Sequence, residues 1–446
     1  MSRFGARSGW HDQPKSAELS AARDTGNWFR STRAGRFYFG RLKKYRIVQV
    51  LVPPVWRVCR LLYLHAWTLR RVVSRPLVPL SVYAVRSERA LLAQREIVVT
   101  PVPRAFPENR RRRLVAPHAQ YEFPEIFMAP VRNALVTGGT NLIASDGVVI
   151  CHDLYDFTRD YTSEELNWRA FIWPRQNRIA WLTSENPRRT IARAASFTDA
   201  CAGNYAHWLT EVLPRIRLFC ALPSSVGVPL IVNDGLHLNM MESLRAVAGD
   251  GHEIVVIPTA LSVRVEHLYV VSVTGYIPFQ RRSNRPKDHS HGLFSPRGLL
   301  SLRECLQQDR KSSARGSQRR IFIRRNSGIR NLANAQEMEQ ILTERGFSAI
   351  EPERLTFAEQ VALFSNADVI VGATGAAFGN LIFCRPSTQI VILISDYKYM
   401  PYWYWQNMAC AVGNKVIYVL GKCSGVRPHL HSNFTVNPSD VLDAIG

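Results

Sequence analysis

Acidic residues are scarce in this chain: 35 Asp and Glu stand against 57 Lys and Arg in 446 residues, a formal charge of +22. An imbalance of that sign disfavours cationic ligands and points to anionic partners, namely a lipid headgroup layer, a nucleic acid or a nucleotide. Paired cysteines are missing as well. Cys59, Cys151, Cys201, Cys220, Cys305, Cys384, Cys410 and Cys423 are scattered, with no CxxC. That argues against a zinc site or a disulfide framework and for buried thiols in a reducing cytoplasm. These residues require no metal and no cofactor. Long uncharged apolar runs are lacking too. Ile47 to Leu69 carries Arg57 and Arg60 near its middle and Pro53-Pro54 besides, whereas a spanning helix needs about twenty apolar residues almost free of charge. Met1 to Lys44 is polar and Arg-rich, so no secretory leader is expected. Zinc-finger, RNA-binding and helix-turn-helix signatures are absent, and nucleic acid therefore ranks last among the anionic partners.

What remains is an ordinary globular composition, 46% hydrophobic and 21% charged, sufficient for two domains plus extras. Residues 30–75 combine Arg30, Arg33, Arg36, Arg41, Lys43, Lys44 and Arg46 with an amphipathic pattern from Val55 to Val73. Trp56, Leu61, Leu62, Leu64 and Trp67 alternate there with Arg57, Arg60, Arg70 and Arg71, which suits a helix lying on an anionic bilayer. A solvated basic arm, or a helix packed on its own domain, is an equal alternative. Pro101 to Pro107 and the following charge run read as a linker. The predicted division is a basic N-terminal arm with linker over 1–115, an α/β domain over 116–295 and a second α/β domain over 296–446.

The stretch with most information is 368–394. Val369, Ile370 and Val371 predict a buried strand, Gly372 to Gly375 a sharp turn, Ala376 to Phe383 a short helix, and Gln389 onward a second strand. Such a turn aims free backbone N–H groups at an anion beyond the strand end, although a plain packing joint gives the same pattern. In Phe197 to Phe219, Gly203-Asn204 reads as a cap before a helix that buries Trp208, Leu209, Val212, Ile216 and Phe219. His207, Glu211 and Arg215 are spaced four apart and share a helical face, either as a functional group or as a surface ladder. Pro214 loosens that helix. Strands at Leu230 to Val232, Glu253 to Ile257 and Leu268 to Val273, with a helix between the first two, predict a largely parallel sheet. His289 and His291 lie in a polar loop.

A second α/β unit opens at Arg320 to Ile323, and its strand ends in Arg324-Arg325 with Arg330 close behind. Guanidinium groups there suit a diphosphate. Asn334 with Glu337 and Thr356 with Glu359 read as caps. Tyr397, Tyr399, Tyr402, Trp403, Tyr404 and Trp405 form an aromatic cluster for stacking on sugar or base, or for closing a domain surface.

Taken in order, three stretches resemble glycosyltransferase family 61. Asn204-Tyr-Ala-His207-Trp208 through Glu211 to Pro214-Arg215 is similar to the family's helix. Ile321-Phe-Ile-Arg324-Arg325 with Arg330 and Asn334 is similar to its arginine-ended strand. Phe357 to Gln360, Asp368 to Gly372, Gly375-Ala376 and Asn380 to Phe383 are similar to its C-terminal signature. Two positions depart from the family pattern: Thr374 replaces a common histidine, and Leu393-Ile394 replaces a common acidic residue.

The resemblance implies two facing Rossmann-like domains of the GT-B type and inverting, metal-independent transfer from a nucleotide sugar, expected to be UDP-linked, to a glycan or lipid-linked acceptor. It implies donor contacts at Arg324, Arg325, Arg330, Asn334, Gly372, Thr374, Gly375, Ala376 and Asn380, and acceptor contacts at Asn204 and Arg215. The base is Glu211 or His207, with Glu211 held by His207 slightly favoured. Surface-polysaccharide synthesis on the inner face of the cytoplasmic membrane is the expected setting. A non-catalytic glycan-binding or assembly protein that keeps the fold is the alternative, resting on Thr374, and a nucleic-acid-binding protein comes third.

Overall fold

The computed structural model describes residues 74–446 apart from 87, 114–118, 167–168, 182–186, 188, 260, 279, 283–291, 308–318, 326, 328, 398–399, 401 and 426–429. The expected interfacial helix, His289, His291 and Tyr399 lie outside the described residues. The chain divides into two compact units. One comprises Met1–Ser74, Glu164–Phe171 and Ala180–Leu182, and the other Arg75–Ser163, Ile172–Ile179 and Thr183–Gly446. In the first, the Arg169 N–H donates to the Glu164 carbonyl at 2.8 Å. All that follows concerns the second. No helix among the described residues is long and apolar enough to cross a membrane.

The larger sheet is mixed. Ser262–Val271, Thr190–Ser196, Leu230–Asn233 and Ile254–Ile257 run parallel in that spatial order. Ile126–Thr137 is antiparallel to both Ser262–Val271 and Ile143–Ser145. The expected parallel sheet is thus found in one half only, and the cause is local. Asp146 and Gly147, with φ of 49° and 76°, make the tight turn between Ile143–Ser145 and Val148–Cys151, and a hairpin joins antiparallel strands.

The smaller sheet sets Ser348–Ile350, Arg320–Ile323, Val369–Ala373, Gln389–Ser395 and Val416–Cys423 side by side, all parallel. Ile390 to Ile394 are all buried, the continuous apolar run of a strand covered on both faces. The segment expected as a linker contributes a strand here: Arg104–Phe106 pairs in parallel with Ile417 to Val419. Pro103 and Pro107 bracket this short strand without interrupting it, which an edge position permits. The predicted turn after Val369–Ala373 leads into Ala376–Phe383, which winds as a 3-10 rather than an α-helix. It is short, and Phe378 to Phe383 are buried. It also lies so close to the Tyr205–His207 helix that a Cβ on Gly379 would stand 3.2 Å from Ala206 Cα, conditions that favour the tighter coil.

Thr356 caps Phe357–Asn366 in a full capping box with Glu359, and Gly346 at φ 76° follows Ala335–Thr343. Trp208, Phe219, Phe364, Phe383 and Tyr418 belong to one apolar core that includes residues from both sheets. The seven described cysteines are free.

Candidate active site

Asn204 opens the central helix as its cap, Oδ1 accepting from the Ala206 N–H at 3.0 Å. Tyr205–His207 is α-helical, Trp208–Val212 widens to a π-turn, and Leu213–Cys220 resumes the α form. Pro214 accounts for part of this, because it has no N–H to give the Thr210 carbonyl that an α-helix would pair with it. Thr274 Oγ1 donates to that carbonyl instead, at 3.0 Å. Single π-turns of this kind are found mostly at functional sites.

The surface-ladder alternative for this helix does not hold, since the His207 and Glu211 side chains are 7% and 9% exposed. His207 Nδ1 and Glu211 Oε1 are 3.0 Å apart. Burial works against protonation of the imidazole, but the Glu211 carboxylate outweighs it and leaves the His207 pKa raised. Burial, with Asp199 adding to it, also raises that of Glu211 against the opposing pull of His207. The pair therefore holds a proton more firmly than its members would separately.

Arg215, also buried, donates through Nε to the Glu211 carbonyl at 2.7 Å. Its Nη2 stands 4.0 Å from Asp199 Oδ2 and makes no hydrogen bond. Asp199 lies just past the end of Thr190–Ser196, fixed by Asn141 Nδ2 at 2.9 Å and by the Asn233 amide on its backbone. His152 closes the other side at the carboxyl end of Val148–Cys151, its ring stacked on Tyr155 at 3.7 Å and tilted against Tyr276 at 5.0 Å. Burial and the Arg215 charge push its pKa down to about 3, so it is neutral. Asp199 and His152 were not among the predicted site residues. Their common signal is a polar residue at or just past the carboxyl end of a sheet strand, where α/β folds gather ligands.

In the smaller sheet the two adjacent arginines part company. Arg324 is exposed and tied to Glu339 and Glu351. Arg325 turns inward, its Nε and Nη2 donating to the Ile329 carbonyl at 3.3 Å. Its guanidinium covers Gly375, where a Cβ would lie 2.0 Å from Nη1. Burial, assisted by the neighbouring Arg330 charge, lowers its pKa to about 10. Arg330 sits at φ 56° with a buried Nε lacking a hydrogen-bond partner. Neither Arg325 nor Arg330 forms an ion pair among the described residues. Gly372 packs against Ile323, so closely that a Cβ on the glycine would stand 2.8 Å from the Ile323 Cβ. Ala376 begins the 3-10 helix beside Gly375.

The other predicted donor contacts are already engaged. Thr374 Oγ1 accepts from Trp405 Nε1 at 2.8 Å. Asn380, fully buried, accepts from the Tyr205 hydroxyl at 2.9 Å and donates to Gln360 Oε1 at 2.8 Å. Asn334 occupies a cap position without capping: its amide donates to Glu337 and to the Val436 carbonyl, and its Oδ1 takes the Val436 N–H. A groove of about 610 Å³ runs past Arg325 and Ala373, but Glu339, Glu344 and Glu351 also line it, which suits an anion poorly.

Tyr404, on the Trp403–Ala411 helix, lies within electrostatic reach of both Glu211 and Arg330. Burial raises its pKa, and among charged groups the Glu211 carboxylate raises it while Arg330 lowers it. Among the described residues no group of three or more His, Cys, Asp and Glu is placed to hold a metal ion.

Residues 205–391 match the family model described as Glycosyltransferase 61. No curated protein matches the chain. Over those residues the chain is similar to glycosyltransferase family 61, a family of sugar transferases that act in general between a nucleotide-sugar donor and a glycan acceptor.

Proposed function

We propose that this protein is a member of that family and an inverting, metal-independent glycosyltransferase that moves a sugar from a nucleotide-sugar donor, UDP-linked in our reading, to a glycan or lipid-linked acceptor. The buried His207–Glu211 pair is the observation that carries it. A buried carboxylate and imidazole are weak contributors to stability and costly to desolvate, so their retention in the helix core is best explained by chemistry. Deprotonating an acceptor hydroxyl is the chemistry such a pair performs. Glu211 is the base and His207 orients it, while Asp199 and His152 hold Arg215 toward the acceptor.

Arg325 and Arg330 provide positive charge for the leaving diphosphate, and the Gly372 to Ala376 turn provides close backbone approach. In this scheme the larger sheet is the acceptor half and the smaller sheet the donor half of a GT-B-type arrangement, with a boundary near residue 295. Thr374, whose hydroxyl serves Trp405, supports the donor wall from behind. The basic residues of 30–75 suit an anionic membrane surface, which fits surface-polysaccharide synthesis on lipid-linked acceptors at the inner membrane face.

The test uses full-length protein, because Arg104–Phe106 is a strand of the smaller sheet. A panel of nucleotide sugars is titrated with and without EDTA, alongside Arg325→Ala, and product anomers are read by NMR. Selective, EDTA-insensitive binding that is lost in the variant, with slow sugar release and inverted product, is expected. Failure to bind any member would sink the transferase in favour of a non-catalytic glycan-binding protein.

A further inference from the structure

Tyr404 is held rigidly beside the reaction centre with an unused hydroxyl. Its ring stacks on Trp405, centroids 4.1 Å apart and planes at 20°, and on Phe294 at 5.9 Å and 15°. Phe294 is fully buried and fixed in turn by glycines: a Cβ on Gly292 would stand 2.8 Å from it. A Cβ on Gly275 would stand 3.3 Å from both the Phe294 ring and Glu211 Cγ. Glu211 and Phe294 therefore meet at Gly275, and Tyr404 leans on Phe294. The Tyr404 hydroxyl is closed off from solvent and makes no hydrogen bond, and the same is true of Arg330 Nε. Buried donors are seldom left unmatched, and these two, on a helix and a loop far apart in sequence yet within electrostatic reach of each other, point to a place where a ligand oxygen belongs.

We propose that Tyr404 is a catalytic residue, its hydroxyl donating to the oxygen of the departing nucleoside diphosphate that Arg330 also faces. This rests on the transferase reading above. Burial first, and then the nearby Glu211 carboxylate, keep the phenol protonated, so at neutral pH it is a donor. In the transfer, the bond from the sugar's anomeric carbon to the phosphate oxygen breaks and its electron pair goes to that oxygen. The acceptor oxygen bonds to the anomeric carbon, and the acceptor's proton passes to the His207–Glu211 pair. Tyr404 keeps its own proton and stabilises the charge that develops on the leaving oxygen. A donor placed on the acceptor hydroxyl instead would draw electron density from the nucleophile, which makes the leaving side the productive one.

The experiment compares full-length wild type, Tyr404→Phe and protein carrying 3,5-difluorotyrosine at 404. It reads kcat, donor KM, UDP and GDP affinity, melting temperature and the pH profile of kcat. Phenylalanine keeps the ring stack and removes only the hydroxyl. We expect kcat to fall about a hundredfold in Tyr404→Phe and the affinity for free nucleoside diphosphate, which carries the charge of the leaving oxygen, to weaken with it, while donor KM and melting temperature stay unchanged. Difluorotyrosine should restore kcat at neutral pH and move the alkaline fall of kcat to lower pH, because its phenol ionises earlier. Wild-type kcat in Tyr404→Phe overturns the proposal. If that variant melts early, the fluorinated protein decides, and an unmoved alkaline limb overturns it. A wild type that turns over no nucleotide sugar removes the transferase reading, and this assignment with it.

Discussion

Two buried clusters of charge differ in what they contain. Around the central helix, His207, Glu211, Arg215 and Asp199 mix both signs, and each side chain has a partner of opposite charge in reach. Beyond the Arg320–Ile323 strand, Arg325 and Arg330 are two cations side by side, each with its pKa lowered chiefly by burial, and no carboxylate pairs with either among the described residues. The first cluster balances its charges internally and can store or release a proton. The second is incomplete, and an incoming polyanion would relieve it. In the proposed transfer, proton handling and charge neutralisation would fall to separate sheets, the division that displacement of a diphosphate by a hydroxyl requires.

The sharpest way to break this division is Glu211→Gln, which keeps shape and removes the base. Transfer should fall about 10²–10⁴-fold, while calorimetry finds nucleotide affinity little changed; loss of both together would put Glu211 in the nucleotide site. Next comes Gly375→Ala. The backbone there is extended at φ −178°, so no strain arises, but the methyl group must evict Arg325 Nη1. Nucleotide affinity should drop about tenfold, the loss of one charge-assisted contact, with the melting temperature held.

A smaller effect concerns pH. Both His207 and Glu211 have pKa values raised by folding, so the folded state binds more protons than the unfolded one. Their contribution is complete below the unfolded values and is lost as pH rises through the raised folded values. Stability should therefore decline as pH rises from about 6 toward 8, near the unperturbed imidazole value and above, and His207→Gln should flatten that slope in thermal melts. Equal slopes would show that the imidazole is not the group responsible. The least change is expected for Arg324→Ala, whose exposed ion pairs are worth under about 1 kcal/mol. Its nucleotide affinity should match wild type, and a tenfold loss would mean that Arg324, not Arg325, faces the ligand.

What could be read from the sequence was what neighbours in sequence decide. The Thr356–Glu359 capping box, the Asn204 cap and the Val369–Ala373 strand all follow from short-range chemistry and stand as expected. The family resemblance likewise came from contiguous motifs. What could not be read depends on distant partners. Spacing put His207, Glu211 and Arg215 on one face, but only packing decided that the face is buried. Arg324 and Arg325 look equivalent in sequence, yet just past the end of their strand one turns to Glu339 and the other to Gly375. Asn380, expected at the donor, is taken up by Tyr205 and Gln360, contacts that no local pattern announces.

The Arg104–Phe106 strand carries one more implication. It is synthesised long before Val416–Cys423, the strand it pairs with. This edge of the smaller sheet cannot be laid down until Val416–Cys423 has been made. Pairings so remote in sequence form slowly, so the nascent protein passes through a stage in which Ile417 to Val419 present an uncovered apolar edge. Segments of that kind attract chaperones, and an amino-terminal truncation that removes residue 104 would make the exposure permanent, appearing as aggregation during expression rather than as a loss of catalysis.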